Sequence, residues 1–277
     1  MIGIAAEKRG FMIRLNDRLK TMAARIDRGE TMADIGTDHG FLPVYLLEKE
    51  VSPKVIMADI SEPSLDKARK NFNMNVDMGR LGSGDFRVGD GLSVLEPSEV
   101  DVVVIAGMGG RLIADIMAED IELTASFDKF ILQPRIGQGY LRKWLLDNGF
   151  EIIYEDLVRE GKYIAEVITA VSPNCASAGE SGFEGMAGSK TEQQEMISES
   201  ADGSEMICRI PPWIVNASGP VEEFLLRNIE AEKTKLENVK LSKKRNRELE
   251  ENICGGMRYL EDLLVKYQGK ELKIERK

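Results

Sequence analysis

The stretch Met32-Ala33-Asp34-Ile35-Gly36-Thr37-Asp38-His39-Gly40 carries the reading of this chain. A short apolar run ends in an acidic residue and turns through glycine, and a second apolar run follows from Phe41 with helical character. This is a strand, a tight turn and a helix start, with glycine where backbone must approach a ligand closely. The dinucleotide fingerprint GxGxxG is absent, because Asp38 occupies its middle small position. A carboxylate there repels a pyrophosphate lying on the helix N-terminus. It suits a ligand without phosphate that carries positive charge.

Outward from this turn, short apolar runs alternate with helical stretches, the pattern of a parallel sheet covered on both faces. Strands are expected at Thr31–Ile35, Lys54–Asp59, Asp85–Val88, Val100–Ala106 and Lys129–Gln133. Helices are expected near Phe41–Glu48, Ser64–Met74, Arg111–Ala118 and Tyr140–Asn148, after an N-terminal helix over Phe11–Arg28 with a basic outer face. That face is read either as solvated or as gripping phosphates. Glu151–Arg159 and Lys162–Val171 flank a Glu160-Gly161 turn and predict a strand hairpin, which a purely parallel doubly wound sheet would not end in. Three units follow: a sheet domain over 11–171, a polar acidic linker or loop over 172–220, and a coiled-coil-like helical hairpin over 221–277. The hairpin rests on Leu225, Ile229, Leu236 and Val239, then Leu249, Ile253, Leu260 and Leu264.

Further ligand candidates fall at the carboxyl ends of successive strands. Asp59, followed by Ile60, closes the second and is placed to take ribose hydroxyls. Asp90-Gly91 follows the third and Ile105-Ala106-Gly107-Met108-Gly109-Gly110 the fourth. With Asp34, Gly36 and His39 they form a candidate site for S-adenosylmethionine, whose sulfonium is cationic and which has no phosphate.

These motifs, with Leu112-Ile113, Leu132-Gln133-Pro134 and Leu141-Arg142-Lys143-Trp144-Leu145, resemble the bacterial tRNA adenine-N1 methyltransferases that act on the adenine at position 22. The resemblance covers Leu15–Val171 and, more loosely, Val221–Tyr267; it departs at Arg135, where the family pattern has Asn. It implies a Rossmann-like class I methyltransferase fold, with a seven-stranded sheet whose last strand is antiparallel, and a C-terminal α-helical hairpin. It also implies S-adenosylmethionine as cofactor and tRNA as partner. Asp38 becomes the candidate catalytic residue. Gly109, Gly110, Gln133, Pro134 and Arg135 become candidate substrate contacts, with Gln133 equally open to a structural role. At the hairpin tip, Lys243, Lys244 and Arg245 are placed to meet phosphates or to form a solvated loop.

Composition sets the outer bounds. The formal net charge is −10, yet Val221–Lys277 carries 14 Lys and Arg against 12 Asp and Glu, so the acidity lies elsewhere and a nucleic-acid partner is not excluded. Cys175, Cys208 and Cys254 are scattered and form neither a disulfide framework nor a zinc pattern. No metal is expected. The charged N-terminus and the lack of a long apolar run suggest a soluble, cytoplasmic protein. Within the methyltransferase reading, another RNA or a small molecule as substrate is the nearest competitor, and two rivals stand beside it. A nicotinamide-dependent dehydrogenase is opposed by Asp38 and the strand hairpin. A non-catalytic cofactor- or RNA-binding module would need no reactive residue at Asp38.

Overall fold

The computed structural model describes residues 13–75, 82–175, 190–197, 205–242 and 246–274. The first half alternates as the apolar runs require: α1 (Asp17–Ala23), β1 (Met32–Ile35), α2 (Phe41–Glu48), β2 (Lys54–Asp59), α3 (Glu62–Asn75), β3 (Ser83–Val88), β4 (Val102–Met108), α4 (Gly110–Ala118), α5 (Ile121–Thr124), β5 (Lys129–Pro134) and α6 (Gln138–Asp147). The strand hairpin β6 (Glu151–Glu160) and β7 (Tyr163–Val171) follows, then α7 (Lys190–Ile197), α8 (Met206–Arg209), α9 (Val221–Leu241) and α10 (Arg247–Ile274).

The seven strands form one sheet in the order β3-β2-β1-β4-β5-β7-β6. The first five are parallel, and β7 inserts antiparallel between β5 and β6. This is the predicted seven-stranded arrangement with an antiparallel closing strand. The order reverses between β1 and β4, which opens a crevice at their carboxyl ends, where α/β sheets hold ligands.

Alternation along each strand divides the core. Ala33, Ile35, Val103, Ile105, Phe130 and Leu132 face α4 and α6 through Ile113, Met117, Leu141 and Leu145. Met32, Val55, Met57, Val102, Val104 and Ile131 face α1, α2 and α3 through Met22, Leu42, Leu46, Leu65 and Phe72. Burial on both faces is why these strands read as continuous apolar runs.

Two expectations need correction. The N-terminal helix is shorter than predicted, because Asn16 caps it: its Oδ1 accepts from Leu19 N at 2.9 Å and fixes the start at Asp17. The stretch 172–220, expected as a polar linker or loop, is built into the protein where it is described. Gln193 is buried and exchanges two hydrogen bonds with Ile152 at the irregular register of β6, while Cys208, Trp213 and Ile197 join the sheet core. The C-terminal helices α9 and α10 are present as expected and pack through their base. Phe224, Leu225, Ile229, Leu260 and Leu263 cover Leu157, Ile210 and Ile214, whereas Leu249 is exposed and Glu232, not an apolar residue, is buried in α9.

Candidate active site

Side chains and backbone at the β1–β4 crevice enclose a cavity of about 510 Å³. Asp34, Gly36, Asp38, His39, Asp59, Ala106, Gly107, Met108 and Arg135, all singled out from the sequence, line it together. The turn after β1 is pinned to β2 by Gly36 N and Thr37 N, both donating to Ala58 O at 2.8 and 3.0 Å. Gly36 has φ +79°, and a Cβ there would run into the Met108 methyl group. Glycine is favoured there by the left-handed backbone conformation, whereas the Met108 methyl, at the end of a flexible side chain, could move aside.

The opposite wall is a seam of two loops. Arg135 N donates to Met108 O and Gly110 N to Ile136 O, each at 2.7 Å. A Cβ on Gly110 would strike the Gly137 carbonyl, so the seam closes only because that residue is glycine. Gln133 lies behind it, buried; its Oε1 accepts from Arg18 Nη1 at 2.8 Å and from Gly107 N at 3.2 Å. Of its two predicted roles, this geometry favours the structural one, since the amide joins α1 to the Gly107 loop. Pro134 and Gly110 are also buried in the seam, and Gly109 caps α4; none of the three lines the cavity. Arg135 is exposed, with its guanidinium against Gly107 at the mouth.

Ile60, Asp90 and Gly91 stand outside the lining. They are nevertheless neighbours of it, because Gly89 N donates to Asp59 O at 3.2 Å and brings the end of β3 beside the end of β2. Lys243, Lys244 and Arg245 lie outside the described residues. The sequence reading missed Asn16, Arg18, Leu19 and Met22, which α1 contributes to the cavity. Elsewhere the basic face of α1 is largely spent on structure. Arg25 bonds the buried Asp156 through Nε at 2.7 Å and lies 4.0 Å over Tyr154, and Arg28 donates to Glu50 O.

The two acidic residues of the β1 turn differ in state. Asp34 shows only part of its surface to the cavity, and desolvation there, with Asp59 nearby, pushes its carboxyl up to about 6. Asp38 is exposed at the mouth, and Lys67, donating from Nζ to Oδ1 at 2.8 Å, holds it below the usual carboxylate range. Its Oδ2 meets His39 Nδ1 at 2.8 Å, and the His39 ring stacks on Phe41 with centroids 5.2 Å apart. Asp59 uses Oδ1 to accept from Ser61 N at 2.7 Å, an arrangement that orients the rest of the carboxylate.

Among the described residues, no group of three or more His, Cys, Asp or Glu is placed to hold a metal ion, and no helix is long and apolar enough to cross a membrane.

Comparison with known proteins agrees with this geometry. The tRNA (adenine(22)-N(1))-methyltransferase of Bacillus subtilis is 35% identical over 158 residues, 57% of this chain and 65% of that protein, so the match spans just under two thirds of the relative's length. The crystal structure of a Streptococcus pneumoniae putative tRNA (m1A22) methyltransferase superposes with a TM-score of 0.72 at 24% identity, covering 91% of this chain and 100% of that one. A structure of the same Streptococcus pneumoniae protein in complex with S-adenosyl-L-methionine gives 0.68 at 24% identity, over 91% and 100% of the two chains. These similarities at low identity establish a shared fold. A family model described as a methyltransferase domain matches residues 15–168, more than half of the chain and the whole of the cavity's surroundings, and the chain belongs to that family.

Proposed function

We propose that this protein transfers a methyl group from S-adenosylmethionine to N1 of an adenine in tRNA, the adenine at position 22. The observation that carries the reading is an ionised, exposed carboxylate, Asp38, at the mouth of a cavity floored by two further carboxylates, Asp34 and Asp59. An acidic floor fits a ligand with cationic centres and ribose hydroxyls and disfavours a pyrophosphate. The 35% identity to a tRNA (adenine(22)-N(1))-methyltransferase, and the S-adenosyl-L-methionine complex of a structural neighbour, support the same choice.

The residues divide the work. Asp59 takes ribose hydroxyls, Asp34 faces the cationic end of the ligand, and Gly36 and Gly107 let backbone lie against it. Arg18, on the cavity wall and tied to Gln133 and Glu160, is one of two arginines, with Arg135, that could meet a ligand carboxylate. The bound cofactor supplies an electrophilic methyl group. Adenine N1 has its lone pair in the ring plane, so no base is needed to create the nucleophile, and alignment is the main contribution, with ~7–11 kcal/mol as its ceiling. Methylation leaves positive charge on the base. Asp38 stays ionised, so it accepts a hydrogen bond from the exocyclic amine or faces that charge; it does not serve as an acid. A base buried in folded RNA must first be turned out of its stack.

Incubation of the purified chain with methyl-labelled cofactor and total unmodified tRNA, followed by nucleoside analysis, tests the reading directly. Label in 1-methyladenosine is the expected result. Label in another nucleoside, or none, would discard the N1-adenine assignment while leaving the family membership untouched.

A further inference from the structure

A second cleft, of about 350 Å³, adjoins the first along the glycine seam: Arg135 lines one and Gly137 the other. Five elements converge on it, and the reaction above uses none of its residues. Arg111, exposed on the first turn of α4, lays its guanidinium carbon 4.1 Å from the centre of the Tyr140 ring. Glu166 of β7 is only 7% exposed. Its Oε2 is held by Arg142, which leaves Oε1 to the cleft that the residue lines. Arg209 of α8 lines the far side with 43% of its side chain exposed and only a long 3.4 Å contact to Glu232. Both helices that open at the cleft, α4 and α6, have glycine N-caps with no side-chain hydrogen bond.

Each feature asks for a different part of one ligand. A guanidinium laid flat on a phenol ring leaves its outer face for a planar base. A carboxylate oxygen that faces the cleft accepts from the N–H edge of a base. An arginine with part of its guanidinium exposed, beside the start of α6, favours phosphate. We propose that this cleft receives one unstacked nucleotide of the RNA substrate, a neighbour of the base that enters the first cavity, with its base on Arg111, its N–H edge on Glu166 Oε1 and its phosphate toward Arg209. The proposal rests on the tRNA reading for the identity of the partner, and on the cleft alone for the class of ligand.

Two measurements on the full chain, wild type and Arg111→Ala, separate these supports. The first is saturation-transfer NMR with GMP as probe, with the first cavity filled by excess S-adenosylhomocysteine. GMP signals are expected from the wild type, and Arg111→Ala should weaken the GMP affinity at least about fivefold, the scale of losing one stacking platform. The second is methyl transfer to tRNA, where the variant should raise KM at least about fivefold with kcat and S-adenosylhomocysteine affinity within about twofold of wild type. A merely structural role for Arg111 would not split KM from kcat in this way. A wild type without GMP signals, or a variant unchanged in both assays, would overturn the proposal. A wild type that methylates no tRNA but shows Arg111-dependent GMP signals would overturn the RNA partner and retain the nucleotide cleft.

Discussion

At the β1–β4 side of the sheet the binding cavity is shaped by backbone. Gly36 passes under Met108, Gly110 closes on Gly137, and hydrogen bonds between loops hold both. At the β7–β6 side the attachment of the C-terminal region joins the apolar base of the hairpin to a network of buried charge. Arg142 is fully buried; its Nε and Nη2 bond Glu155 at 2.8 and 2.6 Å, Nη2 also reaches Glu166, and Nη1 donates to Arg209 O at 2.9 Å. Trp213 Nε1 adds a bond to Glu155 Oε1 at 2.9 Å, so residues 205–213 are tied to the sheet through one guanidinium. A backbone seam such as that of Gly110 on Gly137 leaves no room for a side chain. A buried ion network adds little net stability when intact, yet breaking it strands charge in a medium that cannot solvate it.

The largest effect should come from breaking the second kind of joint. Arg142→Ala leaves Glu155 and Glu166 buried without their cation, and burial already raises the Glu166 carboxyl. A loss of ~3–5 kcal/mol in urea unfolding is expected. The replacement Arg142→Met with Glu155→Gln and Glu166→Gln together should recover much of it, because no charge is then stranded. A single Arg142→Ala costing under about 1 kcal/mol would show that solvent reaches the network and that the docking is held by apolar packing instead.

The contrast also explains what could be read in advance. Asp34, Gly36, Asp59 and Gly107 were legible because strand ends, turns and glycines are local, and a switch of periodicity marks each of them. The antiparallel insertion of β7 was legible from the Glu160-Gly161 turn. The role of Arg142 was not, since its partners lie 13 and 24 residues away and nothing local distinguishes it from a surface arginine on an amphipathic helix. The stretch around Gln193 and Trp213 was hidden for the same reason. Its composition is polar overall, and the few residues that anchor it do so across the fold. The place of Arg18 on the cavity wall was hidden too, because its partner Gln133 is 115 residues distant.

A subtler break lies inside the cavity. The folded chain holds the Asp34 proton up to about pH 6, whereas the unfolded chain releases it near 3.8. Stability therefore falls as pH rises between those values and carries the full cost above pH 6. Asp34→Asn should remove that cost, stabilising the ligand-free chain by about 2 kcal/mol at pH 8 once partial solvation is allowed for, with the gain vanishing toward pH 4. In the wild type, affinity for S-adenosylmethionine should rise with pH up to about 6 and then level, because only the ionised carboxylate faces a cation favourably. Calorimetry across that range, with urea melts of both proteins, checks the pair; a flat affinity profile would remove Asp34 from contact with the cationic part of the ligand.

Asp59→Ala isolates a single contact on the same floor. It should weaken S-adenosylmethionine binding by ~1–3 kcal/mol, the loss expected for hydrogen bonds to a charged group, while leaving the urea midpoint nearly unchanged. Affinity equal to wild type in calorimetry would move the ribose elsewhere and weaken the inference from strand order.

The smallest expected change concerns chemistry rather than binding. Asp38→Asn preserves size and one acceptor but removes the charge that should face the methylated, cationic adenine. If that stabilisation arises in the transition state, single-turnover methyl transfer at saturating cofactor and tRNA should slow by at least ~10-fold, with both affinities little altered. The geometry allows a sharper test than this substitution alone. Both Asp38 oxygens are engaged, Oδ1 by Lys67 and Oδ2 by His39, so the base must share or displace a partner when it arrives. Lys67→Met releases Oδ1 and leaves the carboxylate in place. If Lys67 merely competes with the substrate, the released carboxylate should transfer methyl as fast as wild type or faster. If Lys67 holds the carboxylate in register, the rate should fall with Lys67→Met and be restored in part by Lys67→Arg. A purely structural Asp38 predicts something else again, since Asn is a good turn and cap residue and the Asn variant would then match wild type in both folding and rate. An undiminished single-turnover rate in Asp38→Asn would end the catalytic role of its charge, and the cavity's acidic floor would then serve the cofactor alone.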